Sequence, residues 1–314
     1  MLRLVRVNVK PGTRFKRFWV PSLDNICELS QARAKNPTAG TSEEVQGVTD
    51  LIGHVRIGGT NKSTASARLA QADAAVMAAL LQQSLPGDAA AELRFLDVGC
   101  SAGTTSLETV ERIERALARP VSAWLMDRYI WIRRAAGGGL VEYTSSDDQL
   151  VMVRRGRLAL APAPASFLLA PATNALVAAY LGRTGIRRGM QETGRFPLLS
   201  PHVMARPDLK FREGNVLVKI PEFVGRMHLV RAANLLHADY FSVPQLQVAI
   251  GHLAAYLMDG GLLVLTRNHQ QIEGEVERGT VWRRNGSTLT AVADFGGGSE
   301  LKHLVDDDTR IGSS

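Results

Sequence analysis

Two acidic residues, Asp97 and Asp127, close apolar segments that predict buried strands, and a carboxylate at such a position can bind a polar ligand. After the first segment, Leu93–Val98, residues 99–103 are all small. Small residues let a ligand approach the backbone, and the N-terminus of the following helix offers free N–H groups. The loop lacks the Gly-Lys-Ser/Thr ending of a phosphate loop and the later glycines of the dinucleotide pattern G-x-G-x-x-G. The residues therefore indicate a ligand site that matches neither nucleotide motif.

The spacing of the two carboxylates is informative in itself. Asp127 follows the apolar segment 121–126 and stands thirty residues after Asp97, which is the length of one strand–helix–strand unit. Either residue alone could be a helix cap or a salt-bridge partner. Two of them at this spacing favour a shared binding site, because the carboxyl ends of parallel strands meet at one edge of a sheet.

The elements that must position these residues alternate between strand and helix. Further strands are predicted at 209–217, 227–232 and 262–266, and helices at about 63–85, 106–117 and 243–257. This alternation predicts an α/β fold with a mostly parallel, Rossmann-like sheet wound by right-handed crossovers. A C-terminal antiparallel strand pair, 280–284 and 287–293, is expected to turn at Asn285 and Gly286.

The predicted organisation has three parts. Residues 1–60 begin with a short strand, lack sustained periodicity and are expected to form an arm or cap. Residues 61–314 form the main domain, interrupted by an insertion at 129–208. The insertion contains a hairpin around 140–153, an apolar tract at 158–181 and a short helix near 174–181.

Composition limits the class of protein. The net charge of +7 comes from 37 basic and 30 acidic residues that are scattered without aromatic interleaving, which argues against nucleic acid as a partner. The only cysteines, Cys27 and Cys100, have no disulfide-scaffold or zinc spacing and fit a reducing cytoplasm. No apolar core follows the N-terminus, and prolines interrupt the uncharged stretch 158–181, so neither a secretory signal nor a membrane span is expected.

The stretch 95–106, Phe-Leu-Asp-Val-Gly-Cys-Ser-Ala-Gly-Thr-Thr-Ser, resembles motif I of the class I S-adenosylmethionine-dependent methyltransferases. The resemblance implies that Asp97 lies near the methionyl ammonium, directly or through water, and that Asp127 binds the ribose hydroxyls. It makes S-adenosyl-L-methionine the cofactor and S-adenosyl-L-homocysteine the product. The implied cofactor site also includes Gly99, Cys100, Ser101, Gly103 and Arg128.

Two weaker matches follow. Residues 211–216, Phe-Arg-Glu-Gly-Asn-Val, resemble the third-strand loop that contacts adenine, which implies roles for Asn215 and the Val216 backbone; a turn-forming Gly-Asn is the alternative. Residues 228–241 resemble motif IV and include Asn234 as a further cofactor contact. The order Asn-Leu-Leu, helix, Gly-Gly, strand is similar to chemotaxis-receptor (CheR-type) methyltransferases, and Leu-Leu-His is similar to small-molecule O-methyltransferases.

The resemblance implies methyl transfer by in-line displacement to an O or N atom of a small-molecule acceptor. His237 is the candidate base and Tyr240 a residue that orients the acceptor, although a lone His after an apolar run can be purely structural. No metal is expected, because the acidic residue that opens motif IV is absent. The Asn/Asp-Pro-Pro-Tyr/Phe box of enzymes that methylate DNA bases is also missing.

Several alternatives stay open. The apolar tract 158–181 could form an acceptor lid, a homodimer contact or a membrane contact. The chain could also be a non-catalytic methyltransferase-like binding or scaffold protein, a CheR-type protein methyltransferase, or a nicotinamide-dependent Rossmann enzyme.

Overall fold

The computed structural model describes residues 2–8, 19–21, 23–36, 38–57, 60–62, 67–82, 92–156, 158–162, 189–271 and 274–306. The chain divides into two compact units. The first unit comprises Met1–Thr64 and Tyr129–Ala205, and the second comprises Ala65–Arg128 and Arg206–Ser314. The chain therefore passes between the two units three times, after Thr64, after Arg128 and after Ala205.

Elements are numbered in chain order across both units. The helices of the described residues are α1 (Leu23–Lys35), α2 (Ser42–Gly53), α3 (Ala70–Leu81), α4 (Thr104–Leu117), α5 (Pro201–Met204), α6 (Val243–Tyr256) and α7 (Lys302–Asp306). The strands are β1 (Leu2–Asn8), β2 (Trp19–Pro21), β3 (Arg56–Ile57), β4 (Thr60–Asn61), β5 (Leu93–Val98), β6 (Val121–Asp127), β7 (Trp131–Gly137), β8 (Leu140–Ser145), β9 (Leu150–Arg155), β10 (Leu158–Pro162), β11 (Gln191–Pro197), β12 (Leu209–Glu213), β13 (Met227–Ala233), β14 (Leu257–Gln271), β15 (Gly274–Asn285) and β16 (Thr288–Phe295).

The first unit is built on a seven-stranded sheet in the order β11-β7-β8-β9-β10-β1-β2. The predicted hairpin around 140–153 is confirmed as the antiparallel pair β8 and β9. The N-terminal strand β1 pairs with β10, the first part of the apolar tract, so the two chain segments of this unit share one ladder. The rest of that tract, including the predicted helix near 174–181, lies outside the described residues.

Helices α1 and α2 lie in the N-terminal segment, where hydrophobic periodicity predicted no helix. A capping box begins α2: the Thr41 hydroxyl accepts the Glu44 N–H, and the Glu44 carboxylate accepts the Thr41 N–H. In the first turn of α1, the Asp24 carboxylate accepts bonds from Tyr143, Arg134 and Arg154 of the sheet. Burial, followed by the contact with Asp24, raises the pKa of Tyr143, so the phenol stays a hydrogen-bond donor.

The second unit carries the predicted α/β fold. Its sheet has the order β12-β6-β5-β13-β14-β15-β16. The first five strands are parallel, and β15 and β16 are added antiparallel. From β5 the chain moves outward through β6 to β12, and it then returns to place β13 on the other side of β5. The order therefore reverses between β5 and β13, which is the point where open α/β sheets bind ligands.

Both faces of this sheet are covered, so its central strands are continuous apolar runs. Val230 and Ala232 of β13 pack on one face with α6, which contributes a set of buried residues at helical spacing. That set is Leu246, Ile250 and Leu253. Between those two β13 residues, Arg231 points to the opposite face, which α3 and α4 cover through Asp73 and Thr109.

The predicted elements are confirmed with shifts at their ends. Strand β14 begins earlier than predicted, at Leu257, but its continuous parallel pairing starts only at Leu262, because the ladder with β13 is irregular between the two positions. The C-terminal turn is displaced by one residue. Asn285 pairs with Thr288, so the two turn residues are Gly286 and Ser287 rather than Asn285 and Gly286. Among the described residues, no helix combines the length and apolar character needed to cross a bilayer.

The left-handed conformation of Gly286 in this turn can be tested directly. Gly286 has φ +60° and open space where a Cβ would lie, whereas Gly251, within α6, has the same open space without a positive φ. We expect Gly286→Ala to lower the free energy of unfolding by about 1–2 kcal/mol, because L-residues resist the left-handed conformation. Gly251→Ala should raise it by about 0.5–1 kcal/mol. Urea denaturation of both variants checks the prediction, and equal effects would contradict it.

Candidate functional site

The loop after β5, residues 99–103, is fastened to the end of β6. The N–H groups of Gly99 and Cys100 both donate to the carbonyl of Met126, at 2.8 and 3.2 Å. Gly99, Ser101 and Gly103 have φ of +78°, +56° and +78°, so the loop turns back through left-handed conformations. A Cβ on Gly99 would lie 3.2 Å from the Leu235 side chain. The loop therefore runs between the end of β6 and the segment that follows β13.

Asp127 lies at this loop. It is the last residue of β6, is half-buried, and accepts the Ser101 N–H through Oδ2 at 2.9 Å. The Asp127 carbonyl accepts the Gly214 N–H at 3.0 Å, which ties the next loop to the same strand end. Arg128 follows and is exposed. Two separate sequence signals, the small-residue loop and the second carboxylate, are thus joined by one hydrogen bond.

Asp97 is in a different environment. Its carboxylate accepts two bonds from the Arg231 guanidinium, at 3.0 Å from Nε and 2.6 Å from Nη2, and a third from the Ser106 hydroxyl of α4. The Asp97 and Arg231 side chains are 3% and 1% exposed. An ammonium that bound Asp97 directly would have to compete with this guanidinium. Asp97 therefore links Arg231 of β13 to Ser106 in the first turn of α4.

Arg231 extends this set of contacts to α3. Its Nη1 donates to the Thr109 hydroxyl and lies 3.4 Å from the Asp73 carboxylate, which also accepts Thr109 at 2.6 Å. Burial raises the pKa of Asp73, and Arg231 only partly opposes that rise. Burial alone would lower the pKa of Arg231, but Asp97 and Asp73 outweigh it and raise that pKa, so the guanidinium is fully charged. We call Arg231, Asp97, Asp73, Ser106 and Thr109 the Arg231 network.

Glu277 of β15 binds the same N-terminal end of α3, where Asp73 also lies. Its carboxylate accepts the N–H groups of Gln71 and Ala72, at 2.8 and 3.1 Å, in the first turn of that helix. A carboxylate is stabilised there by the helix dipole and by unsatisfied donors. Burial nevertheless raises the pKa of Glu277, and these backbone bonds counteract the rise.

Asn215 and Val216 lie in the loop after β12. The Asn215 Oδ1 accepts the Leu217 N–H at 3.0 Å, so its side chain forms the local turn that was the alternative to an adenine contact. Val216 is buried, and its carbonyl lies 3.1 Å from His252 Nδ1. A Cβ on Gly214 would lie 2.9 Å from the Met126 sulfur, which keeps this loop close against β6.

Asn234 links the ends of β13 and β14. Its φ is +56°, and its side chain makes two bonds to Asn268: Oδ1 accepts the Asn268 N–H at 2.7 Å, and Nδ2 donates to Asn268 Oδ1 at 3.0 Å. Asn268 is a residue of this edge that was not predicted from the sequence. Its position at a strand end after an apolar run was visible, but the pairing with Asn234 across 34 residues was not.

His237 and Tyr240 lie together beyond Asn234. Their rings are 4.0 Å apart, His237 is 7% exposed and Tyr240 is 50% exposed. The His237 Nδ1 lies 3.2 Å from the Asp239 carboxylate. Burial, and then the charge of Arg267, lower the pKa of His237, while Asp239 and Glu300 oppose that shift. The ring is therefore neutral at pH 7 and able to accept a proton.

No group of three His, Cys, Asp or Glu side chains that could hold a metal ion occurs within the part of the chain that the structure describes.

Comparison with known proteins gives distant structural matches. No protein-family model and no curated protein matches the chain. Solved structures similar to it include the CMeT domain of the citrinin polyketide synthase (18% identity over 74% of this chain and 41% of that one, TM-score 0.36). A second is the CurJ carbon methyltransferase (13% identity over 79% of this chain and 48% of that one, TM-score 0.35). A third is the trans-methyltransferase CalH in complex with SAH (14% identity over 79% of this chain and 46% of that one, TM-score 0.32).

The chain spans less than half the length of each of these three structures. They are methyltransferase structures by description. Identities of 13–18% do not extend to residue roles, which follow here from the contacts above.

The Arg231 network generates a stability prediction. We expect Asp97→Asn to lower the free energy of unfolding by about 3–5 kcal/mol, because a buried guanidinium loses its counter-charge and faces an amide N–H₂. Arg112→Gln is the matched control. Arg112 contacts Asp73 at 2.7 Å but is 35% exposed, so its loss should cost less than about 1 kcal/mol. Urea denaturation measures both, and a similar cost for the two variants would contradict the prediction.

Proposed function

We propose that the chain is an S-adenosylmethionine-dependent methyltransferase that transfers a methyl group to an O or N atom of a small-molecule acceptor. The observation that carries the proposal is the hydrogen bond from the Ser101 N–H to Asp127. It joins a glycine-containing loop after one parallel strand to a carboxylate at the end of the next. This junction lies beside the reversal in strand order, where α/β sheets bind ligands.

The chemistry of this edge fits the cofactor. The hydroxyl oxygens of Ser101 and Thr104 are buried, and within the described residues neither has a hydrogen-bond partner. No side chain caps α4, whose N-cap is Gly103. An anionic group such as the methionyl carboxylate would satisfy these donors. A carboxylate offers about four acceptor positions, so the Ser101 bond does not by itself exhaust Asp127, which we propose holds the ribose hydroxyls.

We assign Asp97 a supporting role. Its carboxylate is bonded to Arg231 and to Ser106 in the first turn of α4. We propose that it fixes the position of the loop between β5 and α4, and that the loop contacts the ligand. Gly99, Cys100, Ser101 and Gly103 form the floor of the proposed site. We propose that Asn234 and Asn215 support this site indirectly. The Asn234 side chain is bonded to Asn268, and the Asn215 side chain accepts the Leu217 N–H of its own turn.

When bound, S-adenosylmethionine supplies a methyl group on a good leaving group, so the protein chiefly aligns the acceptor and excludes water. We propose that neutral His237 takes the proton that an O–H or N–H acceptor loses as its new bond to carbon forms. Tyr240, half-exposed against the His237 ring, would orient that acceptor. We propose that the insertion at 129–208 selects the acceptor.

A non-catalytic binding protein is the second candidate. Three of the predicted ligand-contacting side chains, Asp97, Asn215 and Asn234, are bonded within the protein. Such internal bonding favours a domain that binds its ligand without turnover. The two candidates differ only in whether methyl transfer occurs, which the experiments below separate.

Cofactor binding is tested by isothermal titration with S-adenosylmethionine. We expect Asp127→Ala to weaken binding by about tenfold or more, because bonds to a charged acceptor are lost. Asp127→Asn, which keeps an acceptor for the Ser101 N–H, separates charge from loop anchoring. Glu213→Gln is the control. Glu213 stands opposite Asp127 in the ladder between β12 and β6 but is not part of the proposed site, so this change should leave the affinity near wild type. Unchanged affinity in Asp127→Ala would refute the proposed site.

The base is tested by turnover. With an acceptor found from a panel of phenols, carboxylic acids and amines, we expect His237→Ala to lower kcat by roughly 10²–10⁴-fold while S-adenosylmethionine binding is retained. His303→Ala, a change of an exposed histidine on α7, should have no effect. Full activity in His237→Ala would show that His237 is not the base and that the protein acts by aligning the acceptor with the methyl group. Tight cofactor binding by the wild type without turnover on any acceptor would favour the non-catalytic candidate.

A further inference from the structure

We infer that Asp239 is a positioning residue that fixes which ring nitrogen of His237 carries the proton. The inference rests on the proposed function, in which His237 is the base, and it extends that function to residues outside the predicted site. It is carried by a chain of charged side chains that runs from His237 through Asp239 and Arg267 to Glu300. We call these four residues the 237–300 charge chain.

A tight turn brings Asp239 beside the imidazole. The N–H groups of Tyr240 and Phe241 donate to the His237 carbonyl at 3.0 and 3.1 Å. This turn leaves Asp239 Oδ2 at 3.2 Å from His237 Nδ1. The contact is an ion-pair contact by distance, and Nδ1 is buried with no hydrogen-bond partner among the residues that the structure describes.

The buried nitrogen determines the tautomer. A buried Nδ1 lone pair that faced a carboxylate would be repelled, whereas an Nδ1–H would be attracted to it. The proton of the neutral ring therefore belongs on Nδ1. The base atom is then Nε2, because its lone pair is the one left to accept a proton.

Arg267 and Glu300 hold Asp239 in place. Arg267 Nη2 lies 2.9 Å from the same oxygen that faces His237, and its Nη1 lies 2.7 Å from Glu300. The Asp239 side chain is 70% exposed, so without this support it would be free to rotate away. Glu300 comes from the C-terminal turn after β16, and Arg267 from β14, so two other segments of the unit fix the carboxylate.

The charges that face His237 act in opposite directions. Burial and Arg267 lower the pKa of the ring, while Asp239 and Glu300 raise it. His269, beyond Glu300 at 3.9 Å, is the next titratable group of the chain. The net effect keeps the ring neutral, and Asp239 selects the tautomer of that neutral form.

Long-range ¹H–¹⁵N NMR of the histidine rings in the full chain tests the inference without any acceptor. His237→Gln assigns the His237 signals among those of the seven histidines. In the wild type we expect the Nδ1–H tautomer to exceed the Nε2–H tautomer by about tenfold, as a hydrogen bond to a charged acceptor implies. A wild-type ring that is mainly Nε2–H, or an even mixture, would overturn the inference.

Three variants distinguish positioning from a structural role. In Asp239→Asn we expect the Nδ1–H preference to be weakened, because the amide oxygen is an uncharged acceptor, and the pKa of His237 to fall. Arg267→Gln removes a positive charge and should raise that pKa. Glu300→Gln is the control of opposite charge within the 237–300 charge chain, and it should lower the pKa of His237. Unchanged tautomers in Asp239→Asn, or shifts of the same sign in Arg267→Gln and Glu300→Gln, would refute the inference.

Folding and cofactor binding are read separately. Asp239 is exposed, so thermal unfolding of Asp239→Asn should match the wild type, and S-adenosylmethionine titration should give wild-type affinity. A wild type that fails to bind S-adenosylmethionine would refute the proposed function while leaving the tautomer measurement valid. A wild type that binds it, but holds His237 as the Nε2–H tautomer, would refute only the role of Asp239.

Discussion

A single buried guanidinium, that of Arg231, constrains the elements that form the candidate site. A charge removed from water costs several kcal/mol unless it is paired and hydrogen-bonded. The side chain of Arg231 is 1% exposed, so its donors must be met by Asp97 on β5, Thr109 on α4 and Asp73 on α3. Its guanidinium also lies 5.4 Å from the Phe95 ring centre. Any shift of β5 against β13 would leave this charge unpaired, so the network fixes their register.

That register determines where the site loop begins. Arg231 stands opposite Asp97 in the parallel ladder between β13 and β5, and the loop starts two residues after Asp97. Ser106, in the first turn of α4, bonds to the same carboxylate. The strand before the loop and the helix after it are thus tied to one buried group. The loop itself is fastened to the end of β6 by the Met126 carbonyl and by Asp127.

Much of the second unit could be predicted from the sequence, because its information is local. Apolar runs predicted the strands, and hydrophobic periodicity predicted α4 and α6. The loop and Asp127 could be predicted because each directly follows one of these apolar runs. The sequence could not show which carboxylate faces a ligand, because that depends on a partner 134 residues from Asp97. The first unit was harder still. Its ladder joins β1 to β10 across more than 150 residues, and α1 and α2 were missed although the Thr41 and Glu44 capping signal was present.

The two acidic residues that look equivalent in the sequence differ in their effect on a ligand. Asp97 is neutralised by Arg231 at contact distance, so at the loop the pair acts as a dipole whose field falls off faster than that of a charge. Asp127 is half-buried and accepts a backbone N–H, and it is not held by a buried guanidinium as Asp97 is. Of these two carboxylates, Asp127 is therefore the one placed to act on a ligand at this edge of the sheet. A cationic ligand seated on the loop would be attracted toward the end of β6, and the same carboxylate would repel a pyrophosphate. The environment of each carboxylate, more than its place in a motif, thus decides which of the two can act on a ligand.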